Sequence, residues 1–379
     1  MDSAGNVYVA DGGNFTVRKV TPLGAVTTLA GLAGSFGTND GLGSSARFGS
    51  DVGMSPSGLA VDGASNIYVA DSANETIRKM TPVGTNWMVT TLAGQPDKYG
   101  SADGSNGAAQ FWGPSAVAVD NSGNIYVADS GNDTIRKVTP AGVVSTWAGL
   151  AGSPGTNDGI GGAARFNFPF GIALDTASNI YVADAFNYTI RKITPDGTVS
   201  TLAGSPGVQG HADGTGSAAR FNDLGGLAVD VAGNVFVTDS GSKTIREVNP
   251  QGVVSTLAGL ALNYGSADGT GLAARFDNPA GVALDAATNA YVADYDNETI
   301  RKGYPASTVP APDVQPPGLS PGQFGFGITG LPGLAVDIES SIDLTHWQIL
   351  STVLLVGGTN YFANATSNMN SQFFRAHLH

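Results

Sequence analysis

The chain has 379 residues, a formal charge of −13 from 31 acidic and 18 basic residues, 54 glycines and no cysteine. Such a length is ample for a buried core, the missing cysteines exclude disulfides and thiolate metal sites, and the negative surface argues against binding a phosphate backbone. No apolar run approaches the roughly 18 residues that a membrane-spanning helix needs.

Met1 is followed by Asp2-Ser3-Ala4-Gly5-Asn6, which aligns with Asp120-Asn121-Ser122-Gly123-Asn124 far inside the chain, so the sequence starts within a repeating unit and a leader, where one exists, is expected upstream. The unit is clearest at Asn124 to Pro140, NIYVADSGNDTIRKVTP. Its Asp recurs at Asp11, Asp71, Asp129, Asp184, Asp239 and Asp294, with spacings of 60, 58, 55, 55 and 55 residues. A fixed period of this kind marks a repeat architecture.

In the third unit, β-branched and aromatic runs separated by turn residues predict four strands: Ala116 to Val119, Ile125 to Ala128, Thr134 to Val138 and Val143 to Trp147. A four-residue turn sets Asp129 opposite Thr134 and diagonal to Arg136, within reach of a long side chain. Asp and Arg recur in all six copies, so an ion pair that holds each hairpin explains both better than catalysis does. About twenty linking residues follow, with DGxGxAARF at Asp158–Phe166, Asp213–Phe221 and Asp268–Phe276. Four antiparallel strands repeated radially make the blade of a β-propeller.

The phrase NxYVADxxNxxIRKxxPxGxVxTLAG resembles the NHL repeat, and six copies imply an all-β, six-bladed propeller of four-stranded antiparallel blades over residues 1–309. Departures are Gln110 in place of the linker Arg of Arg47, Arg165, Arg220 and Arg275, Gly241-Ser242-Lys243 in place of the turn Asn, and an insertion at Trp87-Met88. The first unit begins after its inner strand and the last lacks a clear outer strand. Leu331 to Asp337, LPGLAVD, is close to the inner-strand phrase SPSGLAVD and is a candidate for the empty inner position.

Residues 310–323 carry five prolines and read as a stiff, extended linker. Residues 324–379 form a small C-terminal β-domain with strand-like runs at Gly325–Thr329, Leu334–Ser340, Gln348–Val356 and Phe373–His377. IESSIDLTHWQIL and FFRAHL resemble a β-domain found on secreted bacterial proteins, which implies a secreted or cell-envelope location.

In this strand order the links and the turn after the second strand share one face, at the mouth of the central channel. Asp40, Asp103, Asp158, Asp213 and Asp268 fall there beside the turn residues Asn14, Asn74, Asn132, Asn187 and Asn297. A ring of oxygens could hold Ca²⁺, which takes six to eight of them. The stronger reading is structural: Asp-Gly makes turns, Asn tolerates a left-handed backbone, and the linker Asp can pair with the linker Arg. The N-x-T triplets at the same Asn residues match a glycosylation acceptor, yet turn and strand chemistry account for them.

His211 is the sole histidine among the repeats and breaks their pattern. The aromatics that also break it are Phe36, Tyr99, Trp112, Phe168, Phe170, Phe186, Tyr188, Tyr264 and Tyr295. From these, His211, Phe186, Tyr188, Trp112, Tyr264 and Tyr295 are the candidate ligand-binding residues, because exposed aromatics mark contact sites for sugar, peptide or protein. No GxSxG, HExxH or phosphate loop occurs, and no Ser/His/Asp set follows from spacing.

The expectation is an extracellular binding or scaffold module that offers the mouth face to a protein, peptide or carbohydrate, as a monomer and without nucleic acid. The alternative is a Ca²⁺-dependent lactonase or esterase, implied by resemblance in outline to six-bladed lactonases. The zinc amidating lyases that share the repeat need histidine ligands that His211 alone cannot supply.

Overall fold

A computed structural model describes residues 1–51 and 55–304, together with five strands between residues 323 and 378. Residues 1–303 form six antiparallel sheets, the blades of a propeller. Blade 3 shows the plan. Pro114–Val119 is its inner strand, Ile125–Asp129 and Thr134–Val138 form the hairpin, and Val143–Gly149 is the outer strand. Blades 2, 4 and 5 repeat it, with hairpins Ile67–Asp71/Thr76–Val83, Ile180–Asp184/Thr189–Ile193 and Val235–Asp239/Thr244–Val248. Blade 1 has three strands, starting at Val7–Asp11, and blade 6 has three, ending at Thr299–Gly303.

The structure adds a strand that composition does not signal. In four of the five Asp-Gly phrases the Gly opens a two-residue strand, such as Gly104–Ser105, which pairs with the outer strand of the blade that follows. The link is thereby sewn to the outside of a blade before it crosses to the inner strand.

Hydrophobic side chains pack between successive blades. Tyr68, Ala70 and Ile77 of blade 2 meet Phe111, Val117 and Val127 of blade 3, and the same layer recurs around Phe166 and Phe221. Burying each linker Phe contributes about 1.5–3 kcal/mol.

Above each linker Phe lies an Arg, fully buried in blades 2 to 5 and slightly exposed in blade 6. Arg136 Nη1 donates to Asp129 Oδ2 at 2.7 Å and its Nη2 to Asp103 Oδ1 at 2.7 Å, with two further bonds to the carbonyls of Gln110 and Ala102. Its guanidinium stands 5.3 Å from the Phe111 ring centre. Asp129 pairs in register with Thr134, so the hairpin ion pair has the expected geometry. Arg78, Arg191, Arg246 and Arg301 repeat the arrangement, whereas Arg18 in blade 1 makes one longer, part-exposed pair to Asp11 at 3.2 Å. Burial pushes Asp129 and Asp184 up to about 6 and Asp239 up to about 7, with the paired Arg residues opposing. Asp239 lacks the amide donor that Asn132 and Asn187 give their counterparts.

Two expectations about the links are corrected here. The linker Asp pairs with the hairpin Arg, while the linker Arg165 donates to the carbonyls of Gly162 and Ala164. The left-handed residue of each hairpin turn is the one after the Asn, such as Asp133 or Tyr188, not the Asn itself. The buried Asn132 instead donates its amide to Asp129 and to Gly100 O, which ties turn to link.

Residues 304–379 form a separate unit. Its strand Ala335–Ser341 has Gln348–Leu354 on one edge and Phe373–Leu378 on the other, so it is not the missing inner strand of blade 1. Leu331 to Leu334 and the Pro-rich residues 310–322 lie outside the described residues. Thr359–Ala365, a strand the sequence pattern did not single out, pairs with Gln323–Thr329.

Candidate ligand-binding site

Links and hairpin turns do meet on one face. Gly131 N donates to Trp112 O and Asn132 reaches Gly100 O, so the entry to each inner strand lies against the turn of its own blade. The opposite face carries the Asp-x-x-x-Asn turns, where Asp120 Oδ1 accepts from Ser122 N and Asn124 N and Oδ2 accepts from the Asn124 amide.

The five linker carboxylates do not converge. Asp103 accepts from Arg136 and Thr146, Asp158 from Arg191 and Thr201, and Asp213 from Arg246 and Thr256, each at the outer strand of its own blade. Asp40 and Asp268 are likewise taken by Arg78 and Arg301. Burial tends to raise Asp103 and Asp213, but hydrogen bonds from Arg and Thr outweigh it and hold both below the usual carboxylate range. Among the described residues no three His, Asp or Glu side chains are grouped to hold a metal. A cavity of about 360 Å³ on the axis is walled by aliphatic residues of five inner strands, including Val61, Val119, Leu174, Val229 and Leu284. Calcium requires converging oxygens, and neither donor set fits it.

A bowl of about 310 Å³ opens on the mouth face across blades 4, 5 and 6. Its wall is a stack of three phenylalanines. Phe168 lies 4.6 Å from Phe186 and 6.3 Å from Phe170, centre to centre, with interplanar angles of 12° and 19°. Each belongs to a repeat position that is small or polar elsewhere. Phe168 stands where other units have Gly113, Asp223 and Asn278, Phe170 where they have Ser115, Gly225 and Ala280, and Phe186 where they have Gly131, Gly241 and Asp296.

The surrounding backbone fixes the wall. Phe168 is left-handed, at φ 56°, and its N–H is capped by Asp133 Oδ1 at 2.9 Å from the previous blade. Ala185 N and Phe186 N donate to the carbonyls of Phe168 and Asn167. Phe186 remains 54% exposed, so the end of the stack offers a flat apolar face.

Leu224, Gly225 and Ala280 form the floor, and Tyr295 stands opposite, 45% exposed. Gly225 keeps the floor low because a Cβ there would fall 2.4 Å from Thr238 Oγ1 and 2.7 Å from Ala280 O. Asp223 and Asn278 sit on the lip in left-handed conformations, and neither side chain makes a hydrogen bond or ion pair to the described residues. Ser240 Oγ donates to Pro279 O at 2.6 Å.

The bowl unites two of the six expected ligand residues, Phe186 and Tyr295. Tyr188 is half-buried and packs against the core between blades 4 and 5. Trp112 pairs with Tyr99 on the rim of blade 3, while Tyr264, 74% exposed, and His211 lie on links away from the bowl. Asp223, Asn278 and Gly225 were not anticipated. Aligning the units position by position exposes them, since they occupy the same columns as Phe168 and Phe170.

The NHL repeat model matches residues 111–138. NHL repeat-containing protein 2 of Bos taurus is 31% identical over 282 residues, covering 65% of this chain and 38% of its own length. Teneurin-3 of Danio rerio is 27% identical over 79% of this chain and 12% of its own. The chain thus spans well under half of either relative. Among solved structures, an auxiliary nutrient binding protein from Bacteroides ovatus superposes with a TM-score of 0.57 at 18% identity, covering 80% of this chain and 67% of that one. An inactive virginiamycin B lyase from Staphylococcus aureus gives 0.50 at 13%, covering 79% and 77%. Both share the fold.

Proposed function

Starting from a chain of NHL repeats folded as a six-bladed propeller, we propose that it is a binding module that captures its ligand in the bowl of blades 4 to 6. One observation carries this reading: three phenylalanines at three separate repeat positions fall in one blade and stack on the rim. Packing alone does not call for them, because the other blades carry glycine, serine, alanine, aspartate or asparagine at the same places. A shallow apolar wall with a few polar groups on its lip is the usual form of a small-ligand site.

No reaction is assigned to the site. Its serine spends its proton on Pro279 O, and no histidine lines the bowl. Nothing favours the calcium-dependent hydrolase, whose carboxylates are each held by an arginine. The reading also places the module outside the cytoplasm, supported by the resemblance of residues 324–379 to domains of secreted proteins, and fractionation of producing cells tests that.

The test of binding is a thermal-shift screen of soluble oligosaccharides and short peptides against the wild type and Phe168→Gly/Phe186→Gly. A ligand of this site raises the wild-type Tm and leaves the variant unmoved. Hits that shift both equally would dismiss the bowl as the site.

A further inference from the structure

A second aromatic platform lies on the same face, one blade away. Tyr99 and Trp112 meet with ring centres 5.5 Å apart and an interplanar angle of 35°, and they stay 68% and 48% exposed. Both are held by backbone: Tyr99 bridges to Phe111, and Trp112 N donates to the buried Asp129 at 2.8 Å. The indole packs closely against Gly131, where a Cβ would stand 2.6 Å from Trp112 Cγ. At the corresponding place in blade 5 the pair is Gln209 and Asn222, joined by a hydrogen bond; Tyr99 shares its repeat position with Phe36 and Tyr264, so Trp112 is the departure that makes a two-ring platform in blade 3.

We propose that the rim binds a neutral polysaccharide, with one sugar ring in the bowl and another on the Tyr99–Trp112 platform. The proposal rests on the binding reading above and names its ligand class. Sugar rings present flat faces of C–H groups that lie on aromatic rings, while their hydroxyls donate to carboxylate and amide oxygens at the edge. The bowl supplies both, in the open face of Phe186 and in the unpartnered Asp223 and Asn278.

Charge selects for a neutral chain. Asp133, Asp223, Asp296 and Glu298 lie on this face, against the exposed Lys98 beside Tyr99 and Lys243, which is tied to Asp277 at 3.3 Å, so the balance of charge disfavours anionic polymers. Neither platform offers an open strand edge or a helix-sized groove, the features by which peptides are usually held. Two shallow platforms on one rigid face suit a repeating polymer, because the second contact becomes intramolecular once the first has formed.

Affinity electrophoresis tests this with three neutral polysaccharides (a mixed-linkage β-glucan, an arabinoxylan and a galactomannan) and with alginate as the anionic control. At least one neutral gel retards the wild type, and alginate does not. Phe186→Ala and Tyr99→Ala each weaken retardation about tenfold, the loss of one aromatic contact, and the double variant loses far more. Trp112→Ala repeats the Tyr99→Ala result, with a thermal melt to confirm folding. Retardation by alginate alone, or by no neutral polymer, overturns the proposal, and the bowl survives if another ligand still depends on Phe186. Retardation that needs Phe186 but neither Tyr99 nor Trp112 removes the second platform. Retardation indifferent to Phe186 sinks the binding reading itself.

Discussion

Blades 3 and 4 are neighbours built to one plan, and the departures that shape the candidate site lie at the rim. Inside, Arg136 and Arg191 make the same bonds to a hairpin Asp, a linker Asp and two carbonyls. At the mouth, blade 3 turns its repeat positions into ties to the next blade: Ser130 Oγ donates to Pro169 O and Ser115 Oγ to Phe170 O. Blade 4 has Phe170 and Ala185 at those two positions, and Phe168 and Phe186 beside them complete the stack. A buried ionic network tolerates no change in one partner without leaving another charge stranded, whereas a rim position tolerates any side chain that water can reach. The interior therefore repeats, and the departures collect where a ligand can touch them.

The largest effect separates the two layers. Arg136→Ala and Arg191→Ala each leave a buried carboxylate uncompensated and should cost about 3–5 kcal/mol of stability, by equal amounts in urea unfolding. Unequal costs would show that the two interiors are less alike than their bonds suggest. Converting the rim of blade 4 to that of blade 3, with Phe168→Gly, Phe170→Ser and Phe186→Gly, should abolish ligand capture in a titration while the cooperative melt persists.

Smaller effects sharpen the contrast between buried and exposed members of one network. Asp103→Asn removes a carboxylate that is half exposed, and the loss should be no more than about 1 kcal/mol, well below that of its partner Arg136. Glu75 accepts from Gly113 N at 2.5 Å, and burial pushes it from near 4.5 up to about 7, aided by the nearby Asp129. A carboxyl raised on folding holds its proton more tightly in the native state. Its contribution is complete below pH 4.5 and fades as pH rises through 7. The wild-type Tm should therefore fall between pH 5 and 8 by a few degrees more than that of Glu75→Gln, which cannot titrate. Parallel curves would remove Glu75 from the account.

Most of the blade could be read from the sequence because each strand signals locally. Alternating apolar residues gave four strands close to their observed bounds, and the separation of Asp129 from Arg136 gave the ion pair. What stayed hidden depends on contacts between distant segments. The partner of Asp103 is an arginine 33 residues away, and the strand Gly104–Ser105 exists only because Val143 and Val144 pair with it. The bowl was half visible. Phe186 and Tyr295 announced themselves as aromatics in turn positions, but Asp223 and Asn278 look like ordinary turn residues until three blades are brought together. Gly225 matters through a side chain that it lacks, which composition cannot flag. The separation of the five linker carboxylates was hidden for the same reason: a recurring Asp-Gly suggests convergence, while a hairpin Arg in each of blades 2 to 6 takes one of them as its partner.

Hydrogen–deuterium exchange with a saturating ligand from the screen addresses the central claim most directly. The account predicts slowed exchange confined to the backbone around residues 168–170, 185–187, 223–225 and 278–280 and near Tyr295, extending to Tyr99 and Trp112 when the ligand is a polymer. Protection confined to the opposite face, at turns such as Asp62–Asn66 and Asp120–Asn124, with the bowl unchanged, would contradict it.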